Sequence, residues 1–226
     1  MQFFSSLFLR TLLTTAFITL PQVKGLEAQK RQKDILSRPA AVSNQPSPAF
    51  SAFQGALSVS GVPGGVAIVQ GCPDHAQPVV HPHGSTLREL LDSITNADRR
   101  YVWRINRGVI DLEPSGGVPA LLRIHFKTYD SSDSTDGASA VTLLASTPQV
   151  MRAASRLGLA HNVSGSALSG VAQGTPPPKR PLRIRLHDVT LLDVLNAIVR
   201  ANKRGVWVYR ETHCGSIHQF DLSVVQ

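Results

Sequence analysis

Aromatic residues are scarce in this chain: 6% of 226 residues, with two Trp and three Tyr among them. Its core must therefore rest on Leu, Val, Ile and Ala. At 42% hydrophobic content the chain can bury the core of one moderate domain or two small ones. Cysteine is scarcer still, at two, and no CxxC, HExxH, Gly-x-Ser-x-Gly or phosphate-loop pattern occurs. Those absences remove the signatures of a thiol-redox motif, a zinc protease, an α/β-hydrolase nucleophile and a nucleotide-binding loop. "SVSGVPGG" is Gly-rich but lacks the rest of a dinucleotide fingerprint. "DSSDSTDG" lacks the Glu that completes a twelve-residue calcium loop. No cofactor is expected, and no catalytic, cofactor-binding or metal-ligating set is assigned.

A concentrated basic face is also missing. The formal charge is +8, but three segments account for it: Arg10 and Lys24 near the start, a basic excess over residues 26–50, and Lys179, Arg180, Arg183 and Arg185 of "KRPLRIR". The remainder is nearly neutral. Nucleic-acid binding needs a basic stripe on a folded element together with stacking or base-reading groups, so nucleic acid is not expected as a partner. The basic segments read as a solvated tail and linker.

What is present begins with an apolar run. In "MQFFSSLFLRTLLTTAFITLPQVKG", Thr11 to Leu20 has the length of a signal-peptide core and is too short for a comfortable membrane span. Residues 1–25 are expected to be a signal peptide, cleaved after Gly25 or after Ala28, with an uncleaved N-terminal anchor as the alternative. No transmembrane span is expected after signal removal. The expected location is periplasmic or extracellular in a bacterium. In an exported chain Cys72 and Cys214 are candidates for one disulfide, which would close a long loop; two free thiols are the alternative.

Residues 26–50 are polar and aperiodic and read as a disordered tail. Residues 51–116 form a first α+β unit. It holds a strand over Val66–Val69, a short strand at Val79 and Val80, a helix and a hairpin. The helix carries Leu87, Leu90, Leu91, Ile94 and Ala97 on one face, with Thr86 and Glu89 at capping-box spacing. "YVWRI" and "VIDLEP" flank the tight turn "NRG". Residues 117–163 connect the units through an alternating strand in "ALLRIHFKTY", a polar loop over "DSSDSTDGAS", and a helix. That helix has Thr147 as cap, Pro148 at its first position, and Val150, Met151, Ala154 and Leu157 as its stripe. Residues 164–181 are a flexible Ser/Gly/Pro linker. Residues 182–226 form a second α+β unit: the strand "LRIRLHDV", a helix, a Trp-bearing strand, the turn "THCGS" and the strand "IHQFDLSVV".

The two units share a phrase. With an offset of 104, Thr86, Leu87, Leu91, Ile94, Ala97, Arg100, Val102 and Trp103 match Thr190, Leu191, Leu195, Ile198, Ala201, Arg204, Val206 and Trp207. That is eight identities in the eighteen positions 86–103 without a gap. Shared apolar spacing is common between helices, but a shared Thr cap and a Val-Trp at a fixed distance are not, so the phrase reads as an internal duplication. Each helix should pack on a sheet of its flanking strands, crossing right-handed where those strands are parallel. Each Trp should cover that core with its N–H edge near water.

The matching stretches, "LRIRLHDVTLLDVLNAIVRANKRGVWVY" and "GSTLRELLDSITNADRRYVWRINRGVIDL", resemble the short N-terminal module of secretins and TonB-dependent receptors. The resemblance implies an α+β fold of duplicated strand–helix–hairpin units, with helices packed on small mixed sheets. It also implies a periplasmic module that binds proteins or passes a signal and carries no chemistry.

Histidines are the remaining candidates for chemistry. His81 and His83 of "HPHG", with His75 nearby, could chelate but lack a third positioned ligand. His125 and His187 fall in the polar phase of strands. His213, Cys214 and His218 gather at the last turn without an identifiable orienting residue. The expected function is that of an exported, non-enzymatic cell-envelope module mediating protein–protein interaction or signalling, its partner another envelope protein. The alternatives are a periplasmic small-ligand or metal-binding protein and, behind it, a hydrolase with an undeclared site.

Overall fold

The computed structural model describes residues 34–40, 46–72, 77–131, 136–162, 182–203 and 205–225. The expected signal peptide, the 164–181 linker, His75 and Arg204 lie outside the described residues. In chain order the elements are β1 (Ser47–Pro48), α1 (Ala49–Ser60), β2 (Gly64–Gln70), β3 (Val79–Val80), α2 (Leu87–Ala97), β4 (Tyr101–Asn106), β5 (Val109–Pro114), a 3-10 turn (Leu121–Arg123), β6 (His125–Asp130), α3 (Gly137–Ala145), α4 (Pro148–Arg156), β7 (Ala160–His161), β8 (Arg185–Thr190), α5 (Leu191–Asn202), β9 (Val206–Cys214) and β10 (Ile217–Val225). The fold is α+β: one sheet in the order β4-β5-β2-β9-β10-β7, and two ribbons, β1-β3 and β6-β8.

Local chemistry fixes the element ends. Thr86 accepts from the Glu89 N–H and Thr190 from the Asp193 N–H, while each acid accepts from its cap's N–H in return. Each such box satisfies two otherwise orphaned donors and contributes about 1 kcal/mol. The stripe that follows is buried in both helices: Leu87, Leu90, Leu91 and Ile94 in α2, and Leu191, Val194, Leu195 and Ile198 in α5. Between β4 and β5, Arg107 and Gly108 both take positive φ (50° and 84°), the two-residue turn whose twist suits antiparallel strands.

One element order runs through both halves. A strand (β1, then β6) precedes a helix (α1, then α4) that ends on a glycine with left-handed φ, Gly61 at 60° and Gly158 at 70°. The next residue bonds back across the helix end in the same way, Val62 N–H to the Leu57 carbonyl and Leu159 N–H to the Ala154 carbonyl. A strand follows (β2, β7), then the antiparallel mate of the first strand (β3, β8), then a capped helix and a hairpin. The second hairpin strand lies parallel to β2 in one half and to β7 in the other. Helix α3 is extra to the second half.

The triplets β4-β5-β2 and β9-β10-β7 follow one another along the sheet with strand directions reversed. Their helices lie on opposite faces. Helices α1 and α2 pack with Val66, Ile68, Ile110 and Leu112, whereas α3, α4 and α5 pack with Ala67, Trp207, Tyr209 and Phe220. A half-turn about an axis in the sheet, across the strands, together with a shift of three strands along that axis, relates the two triplets.

Several expectations change. Helix α1 was not legible, because Ser and Gly dilute the spacing of Ala49, Phe53, Ala56 and Leu57. Helix α3 begins inside the expected polar loop, where the Asp136 carboxylate accepts from the Ser139 N–H, and runs on over Ala140–Ala145, a stretch given no element in the sequence reading. The 26–50 tail is structured in part: Leu36 is buried and Pro39 bridges to Thr86. Adjacent Leu121 and Leu122 are both buried, so that stretch is a 3-10 turn rather than alternating strand. On α4 the buried set is Val150, Ala153 and Ala154, while Met151 and Leu157 are exposed. The strands before α2 and α5 belong to the ribbons, so no crossover joins them to the strands that follow.

Candidate functional site

The halves meet where β2 pairs in parallel with β9, from Gly64 opposite Val206 to Gln70 opposite Thr212. The Gln70 amide donates to the Thr212 hydroxyl at 3.3 Å. Two residues further on, Cys72 and Cys214 form a disulfide of sequence separation 142, the same separation as every pair in that ladder. The bridge therefore continues the register and staples the joint, and the Cys214 sulfur is engaged rather than available to His213 or His218.

At the other end of the joint the Trp207 ring lies on Gly65. A Cβ there would sit 1.9 Å from the ring, so only glycine lets the indole lie flat across the seam. Trp207 is fully buried, and its N–H donates to the Asn196 carbonyl oxygen at 2.6 Å rather than facing water. The Asn196 amide then donates to Asp111 at 2.7 Å. Asp111, from β5 of the first half, is wholly buried. Burial pushes its pKa up to about 8, against the Asn196 hydrogen bond and with the help of Glu113 and Asp193, so this carboxyl is largely protonated at neutral pH. Trp103, the sequence match of Trp207, is half-buried on the sheet edge and donates to Asp92 at 2.8 Å. The Arg88 guanidinium lies over its ring, 5.6 Å from the centroid.

A second polar group gathers on β9 and β10. Tyr209 donates to Glu211, Glu211 bonds His213 at 2.6 Å, and the His213 and His218 Nδ1 atoms are 2.8 Å apart. Burial, then the Glu211 bond and charge, push the Tyr209 phenol upward. On the opposite face of the sheet a cavity of about 200 Å³ is lined by Gln70, Asn162, Arg210, Thr212, Gln219, Phe220 and Asp221. Sequence reasoning missed this cavity, since its lining comes from four separated segments. His81 and His83 sit in an exposed loop where the His83 N–H donates to Ser93, and His125 and His187 are exposed. Among the described residues no group of three or more His, Cys, Asp or Glu is placed to hold a metal ion, and no helix is long and apolar enough to cross a membrane.

Comparison with protein-family models, with curated proteins and with solved structures returned no match.

Proposed function

We propose that this chain is an exported, non-enzymatic module of the cell envelope that binds another envelope protein, built from two copies of a unit similar to the short N-terminal module of secretins and TonB-dependent receptors. The observation that carries this reading is the shared element order and pairing of the two halves, joined edge to edge through β2 and β9. The buried polar groups at the joint hold a helix on a sheet, a positioning role. The Cys72–Cys214 bridge supports export, because such bridges persist in oxidising compartments.

Two measurements test it. Residues 1–50 fused to a reporter active only after export should give activity. The purified, oxidised chain should cross-link to one envelope protein in near-equal amounts. A silent reporter removes the location, and cross-linking that yields no stoichiometric partner removes the binding role. The cavity beside Arg210 favours a second reading, a small polar ligand. Calorimetric binding of such a ligand, lost in Arg210→Ala, would select it.

A further inference from the structure

The cavity beside Arg210 is built from two rows of residues that cross the sheet. Register places Ile68, Arg210 and Asp221 side by side in one row, and Gln70, Thr212 and Gln219 in the next. Asn162 extends the first row: His161 pairs with Phe220, and the Asn162 N–H donates to the Phe220 carbonyl at 2.7 Å. Alternation puts the Phe220 ring on the other face, where it stacks on His161. Thr212, Phe220 and Asp221 are buried and form the floor, while Gln70, Asn162, Arg210 and Gln219 are half-buried and form the rim. The donors are set in advance. The Gln77 amide donates to the Gln70 oxygen at 2.9 Å, which orients the Gln70 amide to donate to Thr212 at 3.3 Å. Thr212 thus accepts from Gln70 and keeps its own hydroxyl proton to give. Beside it, the Arg210 guanidinium has no hydrogen bond or ion pair among the described residues, so the donors of a half-buried cation are left for an occupant.

We infer that this cavity binds a free α-amino acid, its carboxylate on Arg210 and Thr212 and its ammonium on Asp221. The guanidinium calls for an anionic pole, and it binds a carboxylate through parallel N–H bonds. A second anionic charge is disfavoured, because Asp221 is the cross-strand neighbour of Arg210. The pole beside Asp221 must therefore donate. A carboxylate has lone pairs enough to accept from a ligand as well as from the protein. An α-amino acid separates its poles by a single carbon, so both fall within reach of residues on adjacent strands about 4.8 Å apart. The cavity, at about 200 Å³, is smaller than the roughly 300–1,000 Å³ of pockets that take drug-sized ligands, which limits the occupant to a molecule of this scale. The inference rests on the reading of this cavity as a site for a small polar ligand, and it names the ligand's class.

Titration calorimetry of the oxidised chain against the common L-amino acids tests it. At least one should bind with a Kd below about 1 mM. Its amide and its N-acetyl derivative each remove one pole, and each should bind at least about tenfold more weakly. Arg210→Gln should weaken the amino acid by at least about tenfold while Trp207 emission stays that of the wild type. The two derivatives are read on the wild-type chain, so they decide the matter even where the variant misfolds. The inference falls if no amino acid binds, and equally if binding survives the loss of either pole or Arg210→Gln. Lactate and inorganic phosphate separate it from the broader reading. Arg210-dependent binding of either, with none of the amino acids, leaves a small-ligand site standing and overturns the amino-acid class. No binding of any of these probes removes both.

Discussion

Trp103 and Trp207 use one device in two settings. Each donates its indole N–H to the helix residue eleven positions earlier, Asp92 in the first half and Asn196 in the second. On the edge strand the acceptor is a carboxylate and a guanidinium covers the ring. In the middle of the sheet the acceptor is an amide. That amide accepts from Trp207 and donates to Asp111 at once, which an ionised carboxylate could not do. The same hydrogen bond is thus surface trim in one unit and part of the seam between units in the other.

The largest test of that contrast is truncation. Trp207→Ala should cost about 3–5 kcal/mol in urea unfolding, by cavity formation and an orphaned Asn196, against about 1–2 kcal/mol for Trp103→Ala. Equal losses would erase the distinction between edge and seam. Next, Cys72→Ser with Cys214→Ser should cost about 2–5 kcal/mol, since the bridge closes a long loop. If Trp207 emission stays blue-shifted in that variant at low denaturant, the seam packs without its staple; a red shift makes the staple part of the joint.

Asp111 gives the third test. Its folded pKa lies above the unfolded value, so the fold binds this proton more tightly. Its contribution is complete below about pH 4 and is lost as the pH rises towards and through about 8. Stability should fall across that window, and Asp111→Asn should flatten the decline. A pH profile unchanged by that substitution would place the titrating group elsewhere. The smallest effect is where the halves should agree: Thr86→Ala and Thr190→Ala should each cost about 1 kcal/mol. A large inequality between these two would count against equivalent units.

Legibility in the sequence followed chemical distinctiveness. Caps, apolar stripes, the Asn-Arg-Gly turn and the paired Trp positions were readable because each rests on residues within one turn or one strand. The Cys72–Cys214 pair was readable as a candidate, but its meaning was not, since only the β2–β9 register shows that the bridge continues a ladder. Helices α1 and α3 were hidden by small residues that bury well without announcing a period. The role of Asn196 was invisible for a related reason. It is polar on an apolar stripe, and its two partners, Asp111 and Trp207, come from different halves of the chain.

The staple also sets a clock on biosynthesis. Cys72 and Cys214 are 142 residues apart, so at about 5–20 residues per second the first thiol emerges roughly 7–28 s before its partner exists. During that interval β2 is already made while β9 is not, and the side of β2 that β9 will cover stands open beside an unprotected thiol. The newborn first half must be shielded from stray oxidation and stray strand pairing until the second half arrives.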